Sequence, residues 1–124
     1  MVRERREQVT SIATSLVTLV EMRAALARRR HQGDVSAAQH RLTLDTLADD
    51  WERVVHIDVS ERLVIQAARL AEAHRLRAYD AIQLASGLLF AERRIDETLF
   101  GSWDDALDAA AAREGLRLLR ARHR

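Results

Sequence analysis

Short β-prone runs recur along this chain, and one or two helical segments separate each run from the next. The runs are Val9–Thr14, Arg53–Val59, Thr98–Ser102 and Leu116–Leu119. Strands separated by helices cannot close as tight hairpins, so they pair in parallel through crossovers. The order reads β-α-α-β-α-α-β-α-β, which predicts a helix-rich α/β sandwich with a mainly parallel sheet. In such sheets, functional residues gather beyond the carboxyl ends of the strands.

The helices carry their own punctuation. Val2–Gln8 reads as the last turns of a charged helix. Ser15 is placed to cap the helix that runs through LVTLVEMRAALARRR and stops near Gly33. Asp34 or Ser36 caps the next helix, with Ala38, Leu42 and the span from Leu44 to Trp51 supplying apolar positions. Ser60 starts a third, in which Leu63, Val64, Ala67, Ala68 and Ala71 recur at the spacing of one buried face. A break at His74–Arg77 precedes a helix from Ala78 to Arg93, and a last helix from Asp104 to Glu114 ends at Gly115.

Composition narrows the class. The 124 residues suit one domain, and 48% hydrophobic content suffices for a core. Ala and Leu dominate and proline is absent, which favours helices with short connections. Twenty basic against nineteen acidic residues leave a net charge of +1, so any basic surface must be local. Without cysteine there is no disulfide and no thiolate zinc site, as suits a reducing cytosol. The uncharged run from Gln8 to Val20 is too short to span a bilayer and lacks a signal-peptide cleavage pattern. These features predict a soluble, cytoplasmic protein.

Three carboxylates stand out by their setting. Glu21 closes the uncharged run from Gln8 to Val20. Asp80 is the only charge between Ala78 and Ala91. Asp104 follows the uncharged run from Thr98 to Trp103. A carboxylate in an apolar stretch is unfavourable unless cations or hydrogen bonds compensate it. Brought together, three such groups would hold a hard divalent cation such as Mg²⁺ or Mn²⁺. Each also has a plainer reading. Glu21 would be a helix acid paired with Arg28 or Arg29, Asp80 a first-turn acid favoured by the helix dipole, and Asp104 an N-cap with Asp105 as the rival ligand.

The segments SLVTLVEMRAALARR, LRAYDAIQLASGL and FGSWDDALDAAAAREGLRLL resemble the PIN-domain family, and within it the VapC-type toxins of bacterial type II toxin–antitoxin systems. The resemblance implies a PIN-like three-layer α/β/α sandwich. It makes Glu21, Asp80 and Asp104 the metal-ligating catalytic acids, with Ser102 bonding Asp104 or a phosphate. It further implies Mg²⁺- or Mn²⁺-dependent hydrolysis of RNA phosphodiester bonds, a small cognate antitoxin and a homodimer. The family opens with a hydrophobic strand ending in Asp-Ser/Thr-Ser, whose Asp is a principal ligand. That segment has no counterpart here. The single domain, 1–124, is therefore expected to be N-terminally incomplete and to lack its first central strand. Glu4 and Glu7, set among charges, are poor substitutes. The rival expectation is a catalytically inactive PIN-like remnant that binds antitoxin or RNA without cleavage.

The remaining polar residues read more simply. Arg28, Arg29, Arg30 and His31 form a solvated helix end, with RNA phosphate contact the lesser reading. The tail of Arg120, Arg122, His123 and Arg124 is read as frayed. His56 and His74 are expected to be structural. Trp51 and Trp103 are expected in the core or an interface, with base stacking open to Trp103.

Overall fold

A computed structural model describes residues 11–119. The elements follow the expected order: β1 (Ala13–Ser15), α1 (Thr18–His31), α2 (Ala37–Arg53), β2 (Val55–Ile57), α3 (Glu61–His74), α4 (Ala78–Ala91), a 3₁₀ turn (Ile95–Glu97), β3 (Leu99–Phe100), α5 (Asp105–Arg113) and β4 (Arg117–Leu118). The charged segment Val2–Gln8, Glu4, Glu7 and the Arg120–Arg124 tail lie outside the described residues.

Local chemistry accounts for most helix ends. Of the two candidate caps for α2, Ser36 is the one used. Its Oγ accepts the Gln39 N–H at 3.1 Å, and the Gln39 side chain accepts the Ser36 N–H at 2.8 Å. This reciprocal pair satisfies two otherwise orphaned donors. Ser60 caps α3 through the Leu63 N–H at 3.1 Å. That helix ends at Arg75, which is left-handed at φ 56°, with the Leu76 N–H returning to the Ala71 carbonyl at 3.1 Å. Gly33 (φ +82°) and Gly115 (φ +97°) close α1 and α5, in the region glycine enters without a Cβ clash.

Ser15 departs from its expected role. It ends strand β1, is fully buried, and its Oγ accepts the Val17 N–H at 3.2 Å. Helix α1 starts at Thr18, and its N-cap position, Val17, has no side-chain cap. Glu21 consequently lies in the first turn of α1.

All strand pairing is parallel, as expected. β1 runs beside β2 with Ala13, Thr14 and Ser15 opposite Val55, His56 and Ile57. β3 runs beside β4 with Leu99 and Phe100 opposite Arg117 and Leu118. Among the described residues these are two separate two-stranded pairs, not one continuous sheet. Helix α4 touches both. Its Gln83 reaches the backbone of Ser15 in β1, and its Gly87 lies so close to Phe100 of β3 that an added Cβ would come within 3.0 Å of the ring.

The core sits where α3, α4 and α5 meet. It comprises Leu63, Ala67 and Leu70 of α3; Ala81, Leu84, Ala85 and Ala91 of α4; Leu107, Ala110 and Ala111 of α5; and Leu116. The buried stripe of α3 is shifted from the expected one. Leu63 and Ala67 are inside, Leu70 replaces Ala71 as the third member, Ala68 is exposed, and Val64 is 46% exposed. Positions i, i+4 and i+7 share one narrow face, and α4 covers only that face. The α1–α2 hairpin packs differently. No residue of α1 is buried, and Leu47 alone is buried in α2. Between these helices runs a cleft of ≈ 530 Å³ lined by Met22, Leu26, Leu42, Leu47 and Trp51.

Candidate active site

The three acids come from three different helices. Glu21 and Asp80 occupy the first turns of α1 and α4, and Asp104 is the N-cap of α5 just beyond β3. First-turn and N-cap positions face the positive end of a helix dipole, which favours an ionised carboxylate. Each acid follows directly on a strand end or a sharp chain reversal.

Asp80 registers the other two. Its carboxyl is pushed above the ordinary value of 3.8, first by burial, then by the negative charge of Asp104 and, more weakly, of Glu21. Arg77 acts in the opposite direction. Asp104 and Glu21 thus each lie within electrostatic reach of Asp80. Among the described residues, however, no three Asp, Glu or His side chains converge closely enough to hold one cation jointly. Magnesium is commonly bound through only one or two carboxylates, with waters completing its shell. Of the two other acids, Asp104 acts on Asp80 more strongly than Glu21 does.

A polar network fixes α4 against β1 and α1. Thr14 and Thr18 share a hydroxyl bond at 2.8 Å. The Gln83 amide donates to the Thr18 hydroxyl, and to the Tyr79 hydroxyl at 2.8 Å. Tyr79 also donates to Thr18 at 3.4 Å, and the Gln83 carbonyl accepts the Ser15 N–H at 3.4 Å. Thr18 lies three residues before Glu21, while Tyr79 and Gln83 flank Asp80. Hydrogen bonds therefore tie the Glu21 and Asp80 helices together. Sequence reading did not single out Thr18 or Gln83, although both stand in the uncharged runs that made the acids conspicuous.

Asp104 takes the N-cap role expected of it. Its Oδ1 accepts the Leu107 N–H at 3.0 Å, so it is an N-cap. A carboxylate has a second oxygen, so capping leaves ligand chemistry open to it. Ser102 bonds the backbone of Asp104: its Oγ accepts the Asp104 N–H at 3.1 Å and lies 3.0 Å from the Asp104 carbonyl. Ser102 also lies 2.8 Å from Asp108 Oδ1, and Asp108 is buried. The sequence signal for Asp108 was its place among alanines in the last helix.

Other candidates resolve plainly. No ion pair forms at Glu21 among the described residues. His74 pairs with Glu114 at 2.7 Å, joining the ends of α3 and α5. His56 stacks on Trp51 at 4.0 Å and bonds its carbonyl at 2.6 Å, so both are structural. Trp103 is not a core residue, being 96% exposed beside Asp104. Indole at a loop tip fits contact with another molecule better than packing.

No family model matches the chain, and no solved structure matches it. Two curated proteins of Mycobacterium tuberculosis do. Ribonuclease VapC45 of strain CDC 1551 / Oshkosh is 32% identical over 112 residues, covering 85% of this chain and 71% of its own. Ribonuclease VapC49 of strain ATCC 25618 / H37Rv shows the same identity and coverage. With relatives of that extent and a parallel-stranded α/β fold, this chain belongs to the VapC-type toxins of the PIN-domain family.

Proposed function

We propose that this protein is a metal-dependent endoribonuclease, the toxin of a VapBC-like toxin–antitoxin module acting in the cytoplasm. The observation that carries the reading is the 32% identity to two VapC ribonucleases over 85% of the chain. In addition, the charges of Asp104 and Glu21, from two other helices, both act on Asp80. Asp80 and Asp104 would hold Mg²⁺ or Mn²⁺, with Glu21 engaged through water. The bound cation would supply charge neutralisation at the scissile phosphate and acidify water for attack. Glu21, exposed and open to solvent, accepts the proton of the attacking water. Asp104 is held in place by the Leu107 N–H and by Ser102. In-line attack leaves a 5′ phosphate and a 3′ hydroxyl.

The three-layer α/β/α arrangement, a homodimer and a small antitoxin partner belong to the same reading. Exposed apolar side chains on the α1–α2 hairpin support a protein partner, with Val20 66%, Leu42 67% and Met22 42% exposed. No described helix is long and apolar enough to cross a membrane. A second reading, binding of RNA or antitoxin without cleavage, is favoured by the lack of three converging ligands among the described residues.

The test is cleavage of a mixed RNA pool with Mg²⁺ or Mn²⁺, comparing the protein with Asp80→Asn. Cutting that needs the cation and is lost in the variant upholds the enzyme. A folded protein that binds RNA but leaves every RNA intact supports the second reading.

A further inference from the structure

We propose that Asp108 is a positioning residue for the candidate site, acting on Asp104 through the hydroxyl of Ser102. The proposal rests on the ribonuclease reading above. Asp108 is only 1% exposed, on a helix face it shares with Leu107 and Ala111. A carboxylate at such a position is strongly unfavourable unless hydrogen-bonded. It is not needed to start the helix, since Asp104 and Asp105 already supply negative charge at that end.

Its bond to Ser102 explains its place. Ser102 Oγ has one proton and two neighbouring acceptors, Asp108 Oδ1 at 2.8 Å and the Asp104 carbonyl at 3.0 Å. That carbonyl already accepts the Asp108 N–H at 3.0 Å. The Asp108 oxygen is the closer acceptor, so it takes the proton. With its proton committed, Ser102 Oγ turns a lone pair to the Asp104 N–H, 3.1 Å away. A chain of bonds thus runs from a buried helical carboxylate, through a hydroxyl, to the backbone of the site acid. Groups of this kind orient metal-binding side chains without touching the metal. Asp108 stands one helical turn beyond Asp104, so the helix that Asp104 caps also supplies its brace.

The experiment compares Ser102→Ala, Asp108→Ala, Asp108→Asn and the Ser102→Ala/Asp108→Ala double variant. Three quantities are read: amide hydrogen exchange at Asp104 without metal, Mn²⁺ affinity by titration calorimetry, and RNA cleavage. Each alanine variant is expected to speed Asp104 exchange and to lower Mn²⁺ affinity by about 10- to 100-fold. The double variant should be no worse than the poorer single, because both break one chain. Asp108→Asn keeps an acceptor oxygen for Ser102 and should recover most of the loss. Unchanged Asp104 exchange and Mn²⁺ affinity in folded Asp108→Ala would overturn the proposal, as would single effects that multiply in full. Should Asp108→Ala not fold, wild-type exchange and affinity in Ser102→Ala overturns it equally. Asp80→Asn serves as the control. If it binds Mn²⁺ as well as the parent, the ribonuclease reading fails, while Asp104 exchange still decides whether Asp108 braces that backbone.

Discussion

The two halves of this molecule use apolar residues in opposite ways. In α3, α4 and α5 the apolar and small side chains meet one another, and Leu84, Ala91, Ala110 and Ala111 are fully shielded from water. In the α1–α2 hairpin the apolar side chains line an open cleft, and Leu47 alone is buried. Burial of apolar surface dominates stability, so the first half holds the fold and the second is held by it. The candidate site straddles the division. Asp80 and Asp104 stand on the packed half, and Glu21 stands on the open one. What joins the halves there is the polar network of Thr14, Thr18, Tyr79 and Gln83. Hydrogen bonds specify a geometry sharply but contribute only about 0.5–1.5 kcal/mol each. A site built across such a seam is well placed but weakly secured.

The largest expected effect tests the contrast directly. Leu84→Ala, at a fully buried position, should destabilise by about 2–5 kcal/mol. Leu42→Ala, at a 67% exposed position, should stay within about 0.5 kcal/mol. Equal losses in urea unfolding would erase the distinction between the halves. Gly87→Ala comes next. The new methyl would meet the Phe100 ring at 3.0 Å, where α4 supports the second strand pair. Overpacking of this kind should lower stability by about 1–3 kcal/mol. An unchanged melting temperature would mean that α4 and β3 separate freely.

Ser36→Ala sharpens the comparison from the other side. It removes the hydroxyl that accepts the Gln39 N–H, leaves the backbone N–H that donates to the Gln39 side chain, and should weaken α2 by about 1 kcal/mol. If the hairpin is the less secure half, amide exchange should rise in α1 and α2 and stay unchanged in α3 and α4. A uniform rise throughout would show one cooperative unit instead. The smallest effect concerns pH. The folded protein holds the Asp80 proton more tightly than the unfolded chain does, because its carboxyl is raised above 3.8. The stability linked to that proton is fully present below pH 3.8 and is lost as pH rises through the folded value. Without metal, Asp80→Asn should therefore melt slightly above the parent at neutral pH, and the advantage should vanish in acid. Adding Mg²⁺ should raise the parent's melting temperature more than the variant's. A variant less stable than the parent at pH 7 without metal would reverse the sign assigned to the site's electrostatics.

Much of the architecture was legible because its signals are local. Ser36, Ser60 and Asp104 cap helices through hydroxyls or carboxylates placed three residues from the N–H they accept, a spacing readable directly. Gly33 and Gly115 stand where chains must turn left-handed. The site acids were conspicuous because each interrupts or closes an uncharged run. Ser15 was misplaced because a serine before an apolar stretch carries the same local pattern whether it caps a helix or ends a strand. Only pairing with Ile57 distinguishes the two. The stripe of α3 was misread for a similar reason. Val64 and Ala68 have the right spacing, but α4 covers the neighbouring face.

By itself, then, the sequence determined the order of elements and most helix ends, since these depend on residues within a turn or two. The tertiary structure alone decided which apolar face is buried, that the described strands form two parallel pairs, and that Gln83 and Thr18 bridge the site. It also decided that Asp108 is turned inward onto Ser102. These are contacts between distant segments or between faces of one helix. Their energies depend on which surface a neighbour removes from water, and no local pattern encodes that choice.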